Sequence, residues 1–409
     1  MSSVKDNDAV IVSIARSPIG RAKKGSLTTL RADDMAAQMV DAALKQVPEL
    51  DTHDIYDLMM GCGQPGGEAG FNIGRIVTEI LGLDWIPATT VQRYCASSLQ
   101  TSRMAFHAIK AGEGDAFISA GVEAVSRFDR GTSDSWPNTK NPRFNSAAKV
   151  TQRIAASEQN WVDPRENGNL PDAYISMGQT AENVAQYLRI SREEQDEWAV
   201  LSQNRAEEAI KAGFFEREIT PLTLPDGTVV AKDDGPRFGT TIEKVQGLKS
   251  VFRENGTVTA ANACPLNDGA AAAVIVSGAK AKSLGLKPLA RIVSTGVSSL
   301  SAEIMGLGPI KASQQALKHA GMSMEDIDLV EINEAFASQV IGCARELEIP
   351  VNKLNIHGGA IALGHPFGMT GVRITATLLN GLQSTDQQFG LETMCTAGGQ
   401  GMAMVLERL

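Results

Sequence analysis

Cysteine is scarce in this chain. Only Cys62, Cys95, Cys264, Cys343 and Cys395 occur in 409 residues, an odd and scattered set. That excludes a disulfide framework and fits a reducing compartment. No Cys-x-x-Cys or His-x-x-x-His spacing occurs, so no metal site is expected. Positive charge is in short supply too. Lysine and arginine number 38 against 47 aspartates and glutamates, a net charge of −9. This excludes the footprint of a nucleic-acid partner but leaves room for local basic patches on a small anionic ligand. No uninterrupted apolar run reaches membrane-spanning length, so no membrane association is expected. The first eight residues are polar and unlike a signal or transit peptide, and Glu407-Arg408-Leu409 is not a peroxisomal address. The expectation is a cytoplasmic protein.

What is present is ample apolar material, 43% of residues, enough for a sizeable core. The length suggests two or three domains or one large two-part unit. Ala9 to Ile14 reads as a core strand, broken by Arg16-Ser17-Pro18-Ile19-Gly20-Arg21. Leu30 to Val47 reads as a helix and Ile55 to Cys62 as a strand, followed by a glycine-rich loop to Gly70. Asn72 to Leu83 is helical and Ala88 to Tyr94 extended. This alternation predicts a layered α/β domain. Arg127 to Asp172 has no clear periodicity and reads as a long inserted loop. Met177 to Leu188 is a helix, and Ser191-Arg192-Glu193-Glu194 is a capping box opening another. Thr257 to Ala261 reads as extended and Asp268 to Ser277 as a buried run. A second alternating unit follows, with strands at Ala290 to Ser294, Asp328 to Ile332, Glu392 to Cys395 and Met402 to Leu406. Helices fall between Pro309 and Gly321 and at Ala337 to Leu347 and Val372 to Leu382. Asp54-Ile55-Tyr56-Asp57-Leu58 echoes Asp326-Ile327-Asp328-Leu329, which suggests two similar halves.

Four stretches carry chemistry. Cys95 sits where a strand hands over to a helix, in Val91-Gln92-Arg93-Tyr94-Cys95-Ala96-Ser97-Ser98. Leu99, Phe106 and Ile109 share a face of that helix, which Gly112 ends. Unpaired N–H groups and the macrodipole at a helix start lower a thiol's pKa. Taken alone, this stretch fits a nucleophile and a packing cysteine equally. His365 lies in the loop Gly358 to Gly368, whose glycines let backbone approach a ligand and leave the ring poorly placed for core packing. His357 fits a structural role better, and His53, His107 and His319 fit surface positions. Cys395 precedes Thr396-Ala397-Gly398-Gly399-Gln400-Gly401, an open pocket lined by backbone. Asn333-Glu334-Ala335-Phe336 follows a strand and opens a helix, where an ordinary N-cap by Asn333 is the plain reading.

In this order and at these distances, the four stretches resemble the thiolase family of coenzyme A-dependent acyltransferases. The resemblance runs over essentially the whole chain and includes Thr257-Val258-Thr259-Ala260 and Leu266-Asn267-Asp268-Gly269-Ala270-Ala271. It implies an α/β fold with duplicated halves in a five-layer αβαβα core. Residues 1–126 and 256–282 would form one half, 127–255 an inserted loop domain and 283–409 the other half. Cys95 resembles the nucleophile that takes the acyl group, His365 the histidine that deprotonates it, and Cys395 the second cysteine that moves the proton. Asn333 resembles the residue that orients a water beside the His365 ring for the thioester enolate. The N–H groups of Cys95 and Ala397 would line a second oxyanion hole. Such chemistry needs a soft nucleophile, a base and donors aimed at two developing oxyanions. Met177, Phe252, Cys264, Ala335 and Phe336 are implied pocket contacts, and Arg237, Lys249 and Arg253 are candidates for the phosphates or for solvated surface.

Departures from the family pattern are Ala397 where Gly is frequent, Cys264 where Ser is frequent, Lys249-Ser250 after Leu248 in place of Arg-Pro, and His357 where Asn is usual. Asp233-Asp234-Gly235-Pro236-Arg237 with Thr240-Thr241-Ile242-Glu243 is similar to degradative 3-ketoacyl-CoA members. The resemblance therefore implies thiolysis of 3-ketoacyl-CoA in fatty acid β-oxidation. Coenzyme A and acyl-CoA thioesters are the small-molecule partners, with no metal and no separate cofactor. A homodimer or homotetramer is implied, and a β-oxidation multienzyme partner is an open alternative. A biosynthetic acetoacetyl-CoA thiolase, a ketoacyl synthase and a non-catalytic acyl-CoA-binding subunit are the competing readings. Cys395 with the Asn333 stretch speaks against a synthase.

Overall fold

The computed structural model describes residues 4–134, 136–156 and 160–409. The first half contains strands β1 (Ala9–Arg16), β2 (Asp57–Cys62), β3 (Ala88–Val91), β4 (Ala116–Ala124) and β5 (Asn267–Ser277). Its helices are α1 (Ala32–Lys45), α2 (Ile73–Ile80) and α3 (Ser97–Ala111). Between β4 and β5 lie α4 (Asn145–Ala155), α5 (Met177–Tyr187) and α6 (Arg192–Lys211). The second half has β6 (Ala290–Ser299), β7 (Leu329–Ile332), β8 (Phe389–Thr396) and β9 (Gln400–Arg408). It carries α7 (Gly308–Ala320), α8 (Ala337–Glu346) and α9 (Thr370–Ser384).

The halves repeat one topology. In the first, the strand order is β3-β2-β4-β5-β1, with β2 parallel to β3 and β4, and β5 antiparallel to β4 and β1. In the second, the order is β7-β8-β9-β6, with β7 parallel to β8, and β9 antiparallel to β8 and β6. A bridge from Val330 to Leu354 stands where β3 stands in the first half. The two sheets touch edge to edge through Val10–Arg291 and Ile11–Ala290 alone. The echo between Asp54–Leu58 and Asp326–Leu329 thus marks equivalent entries into β2 and β7.

Burial explains the layers. Every residue of β4 and β5 is buried, and small side chains such as Ala270 to Ala273 let both faces be covered. Helix α1 packs on one face, with Met35, Met39 and Val40 against Leu58, Met60 and Ile118. Helices α3 and α9 fill the space between the sheets. There Leu99, Ile109 and Phe117 meet Val372, Leu378, Met394 and Met404 in one cluster. A Cβ on Gly371 would sit 2.2 Å from the Leu99 nitrogen, so α9 can approach α3 only with a hydrogen at that position. Ala312, Ala316, Val340 and Ile341 of α7 and α8 cover the outer face of the second sheet. The result is the expected five-layer αβαβα core.

Several local expectations need correction. Arg127 to Asp172 is not all loop, because Asn145–Ala155 is helical. Only Ala147 and Ile154 of that helix are buried, which leaves too little apolar periodicity to read. Thr257 to Ala261 is extended only as far as one bridge, Thr259 to Ser250, with the Val258 carbonyl accepting from the Val251 N–H at 3.0 Å. The Thr257 and Val258 N–H groups donate to the Glu182 carboxylate at 2.9 and 3.0 Å, so this backbone is satisfied by a side chain. The Arg16 turn has an electrostatic cause: its guanidinium is fully buried and pairs with Glu218 at 2.8 Å and Asp233 at 2.6 Å. The capping box at Ser191 and Glu194 forms as expected. No helix among the described residues is long and apolar enough to cross a membrane.

Candidate active site

Cys95 lies in the short turn Tyr94–Ala96 that leads into α3, and Tyr94 adopts a left-handed φ of 42°. The chain turns there because Ser97 holds it. Its hydroxyl donates to the Tyr94 carbonyl at 2.6 Å and accepts from the Arg93 N–H at 2.9 Å. The Cys95 sulfur is met by the N–H of Ala397 and by its own N–H. The sequence expectation of a lowered thiol pKa does not hold in the resting site. Burial pushes the Cys95 thiol up to about 12, and the two N–H groups only partly oppose this. Desolvation outweighs the helix start.

His365 is 1% exposed. Its ring is held at both nitrogens. Thr370 donates its single hydroxyl proton to the Pro366 carbonyl at 2.6 Å, so its oxygen accepts from His365 Nδ1–H, also at 2.6 Å. Nε2 is then the unprotonated nitrogen, and it accepts from Asn333 Nδ2 at 3.3 Å. Burial, and after it the Arg373 charge, lower the imidazole pKa to about 3. The His365 loop abuts the Cys95 turn. A Cβ on Gly63 would meet Phe367 Cβ at 2.8 Å and the Tyr94 carbonyl at 3.4 Å, and Val372 N–H donates to Ser98 at 3.1 Å.

Asn333 is not an N-cap. Helix α8 begins at Ala337 with Phe336 as its capping position, and the Asn333 side chain points to His365 instead. The neighbouring Glu334 explains the bend. Its buried carboxylate accepts from Trp198, Ser202, Asn355 and the Ile361 N–H at 2.6–3.1 Å. This ties the Asn333 turn to α6 and to the glycine loop, where Gly359 leaves no room for a side chain beside Glu334.

Cys395 is the penultimate residue of β8 and fully buried. Burial raises its pKa, and Cys95, Cys343 and Cys264 all lie near enough to oppose its charge. Cys395 shares one apolar cluster with Ala335 and Phe336, against which Met177 and Phe252 pack. The Phe252 and Phe336 rings stand edge to face with centroids 6.3 Å apart. The structure therefore assembles Met177, Phe252, Ala335 and Phe336 beside the second cysteine.

A cavity of about 740 Å³ opens beside this cluster, with Phe252, Ala263, Cys264 and Arg237 in its wall. Arg21, Lys23, Lys24 and Lys244 also line it, and no carboxylate does. These four cations are absent from the sequence expectation, because the turn that holds Arg21, Lys23 and Lys24 is far in sequence from the short helix Ile242–Gln246 that holds Lys244. Lys249 is exposed and does not line the cavity. Arg253 is corrected: it is 8% exposed and donates to Gln179, Gln186 and Asn183, so it braces α5 and is neither a phosphate ligand nor solvated surface. His357 stacks on Phe214 at 3.6 Å, the structural role expected for it. Sequence reasoning also missed Thr370 and Glu123. The Glu123 carboxylate accepts from the N–H groups of Gly63, Gln64 and Gly368 at 2.7–3.1 Å. Burial raises its pKa to about 7 against those three donors.

Comparison with known proteins agrees with this geometry. Residues 9–279 match the thiolase N-terminal domain and residues 286–408 the thiolase C-terminal domain. A 3-ketoacyl-CoA thiolase of Bacillus subtilis is 40% identical across 98% of this chain and 99% of its own length. The 3-oxoadipyl-CoA/3-oxo-5,6-dehydrosuberyl-CoA thiolase of Escherichia coli is also 40% identical, across 98% of this chain and all of its own. Among solved structures, the Bacillus anthracis acetyl-CoA acetyltransferase superposes with a TM-score of 0.85 at 36% identity, covering 100% of both chains. Human mitochondrial 3-ketoacyl-CoA thiolase gives 0.84 at 32%, covering 99% of this chain and 100% of that one. The chain belongs to the thiolase family and is an acyltransferase.

Proposed function

We propose that the protein cleaves 3-ketoacyl-CoA with free CoA, giving acetyl-CoA and a shortened acyl-CoA through an acyl-enzyme on Cys95. His365 Nε2 takes the thiol proton, and the sulfur attacks the keto carbon. The oxyanion that forms accepts from the Cys95 and Ala397 N–H groups. The bond between C2 and C3 then breaks, and the acetyl-CoA enolate takes a proton from Cys395. His365, and a water on Asn333, stabilise that enolate. Asn333 Oδ1 has no partner within the protein, which leaves it as an acceptor for such a water. Incoming CoA gives its thiol proton to Cys395 and attacks the thioester, releasing the shortened acyl-CoA, and the leaving Cys95 sulfur takes back its proton from His365.

One observation carries this reading most directly: the Ala397 and Cys95 N–H groups converge on a buried thiol. High thiol and low imidazole pKa values make a neutral resting pair. Proton transfer then accompanies attack, which keeps an uncompensated charge pair out of the empty site. The four cations and Arg237 suit the phosphates of CoA, and the cluster around Phe252 and Phe336 suits the pantetheine arm.

The role we favour is degradative, in β-oxidation, carried out in the cytoplasm by a homodimer or homotetramer with coenzyme A as substrate and no further cofactor. Thiolysis of 3-ketoacyl-CoA substrates of graded length, with mass analysis of the acylated peptide, tests it. Cleavage with label on Cys95 supports the reading. Label on another residue, or no cleavage at any length by folded protein, overturns it.

A further inference from the structure

The donor Ala397 opens a three-residue turn whose far end is tied by the Leu300 N–H to the Gly399 carbonyl at 2.8 Å. Between β8 and β9 the turn passes through Gly398 and Gly399, both left-handed with φ of 79° and 78°. Two such glycines let the turn be tight, but they also give its peptides freedom to rotate. A donor aimed at a developing oxyanion must be fixed before the charge appears, because a misplacement of about 1 Å costs on the order of a hundredfold in rate. Leu300 fixes the Gly399 end of the turn, and the Ala397 end calls for a contact of its own.

Gln400 supplies one. Its Nε2 donates to the Ala397 carbonyl at 3.4 Å, and its Oε1 accepts from Arg93 Nη1 at 3.0 Å. With the Ala397 carbonyl held, only the two backbone rotations of Ala397 itself separate the anchored peptide from the N–H that meets Cys95. Arg93 is two residues before Cys95, and its backbone is bound to Ser97 in the same turn. Arg93 forms no ion pair among the described residues, so its guanidinium is not drawn to a carboxylate elsewhere. The two donors, on Cys95 and on Ala397, come from opposite ends of the sequence. The Arg93–Gln400 link is a side-chain brace that joins them.

We infer that Gln400, braced by Arg93, is a positioning residue that sets the separation of the two oxyanion donors. The inference rests on the reading of Cys95 as the acylated nucleophile. It touches neither substrate nor the reacting sulfur, so its effect belongs to the chemical step and not to CoA binding.

The test uses the full-length protein and two variants. Gln400→Leu removes both bonds at similar size. Gln400→Glu keeps a partner for Arg93 but cannot donate to the Ala397 carbonyl. Each is acylated with acetyl-CoA carrying a ¹³C carbonyl, and the thioester band is read by infrared spectroscopy alongside kcat and KM. In both variants kcat falls about tenfold or more, KM for CoA stays within about twofold, and the carbonyl band moves to higher frequency as its hydrogen bonds weaken. If Gln400→Leu does not fold, Gln400→Glu decides alone. Wild-type kcat and band position in Gln400→Glu would overturn the inference. Failure of the wild-type protein to acylate at Cys95 would overturn the reading of the site instead.

Discussion

Thr370 sets the tautomer of His365, and its hydroxyl can be removed at nearly constant shape. In Thr370→Val, Nδ1–H loses its acceptor inside a fully buried site, while the Pro366 carbonyl keeps the Met369 N–H at 3.1 Å. An unpaired buried donor costs roughly 1–3 kcal/mol. The ring can escape most of that by moving its proton to Nε2. Asn333 can follow by turning its amide over, since its unpartnered Oδ1 would then accept from Nε2–H. The escape disables the base, because the nitrogen that should take the Cys95 proton already carries one. At about 1.4 kcal/mol per factor of ten, the lost bond shifts the tautomer ratio roughly fivefold to a hundredfold. The expected outcome is a fall in kcat within that range with KM for CoA unchanged. Histidine ¹⁵N NMR should show Nε2 changing from unprotonated to protonated, and Thr370→Ser should restore both readouts. Thr370→Val with wild-type kcat and an unchanged ¹⁵N pattern would refute the argument that this bond selects the tautomer.

Other predictions follow from the same geometry. Cys95→Ala should fold with wild-type circular dichroism and take no acyl label, whereas Cys395→Ala should lose turnover yet still be labelled at Cys95. Lys23→Ala and Lys244→Ala should raise KM for CoA with little change in kcat, and the effect should shrink with added salt, as expected for exposed cations on a polyphosphate. Stability should peak on the acid side of neutrality and fall on either side of that maximum. His365 has a pKa depressed by burial to about 3, so its contribution is complete above the unfolded value of about 6.5 and is lost as pH falls toward 3. Glu331 and Glu392 stand side by side across β7 and β8, and burial raises both to about 8. Their contribution is complete below the unfolded value of about 4.3 and is lost as pH rises through 8. Urea midpoints across pH 4–9 check both limbs, and a flat profile would contradict them.

The sequence made the layers legible because their pattern is local. A helix between Pro309 and Gly321 is announced by its own ends, and Gly321 does adopt the left-handed φ of 68° that a helix stop needs. The chemistry-bearing residues were legible as motifs in sequence order, and the structure sets the His365 loop against the Cys95 turn and Cys95 near Cys395. What stayed hidden depends on distant partners. The cations Lys23 and Lys244 share a cavity although more than two hundred positions separate them, and nothing in their own neighbourhoods marks them. The Cys95 pKa depended on a contest between helix-start donors and burial, and burial cannot be weighed without the surrounding layers. Arg253 looked like surface because its neighbours Lys249 and Glu254 are exposed, yet its side chain turns inward onto α5.

The duplicated topology also explains why the site forms where it does. The parallel strands β2, β3 and β4 of one half and β7 and β8 of the other all end at the functional loops. Gly63 follows β2, the Cys95 turn follows β3, and Asn333 follows β7, while Glu123 and Cys395 are the penultimate residues of β4 and β8. Helices α3 and α9 occupy equivalent places in the central layer, one following the Cys95 turn and the other the His365 loop. Equivalent strand ends therefore carry different duties. In the second half that position is the buried Cys395 thiol, the proton donor of the proposed reaction. In the first it is Glu123, whose carboxylate gathers backbone N–H groups from the β2 loop and from Gly368, three residues after His365. One half thus supplies Cys95 and the Glu123 scaffold under the His365 loop, and the other supplies His365, Asn333 and Cys395. Neither half holds all of these residues, so packing α3 against α9, which Gly371 permits, is what brings the Cys95 turn and the His365 loop together.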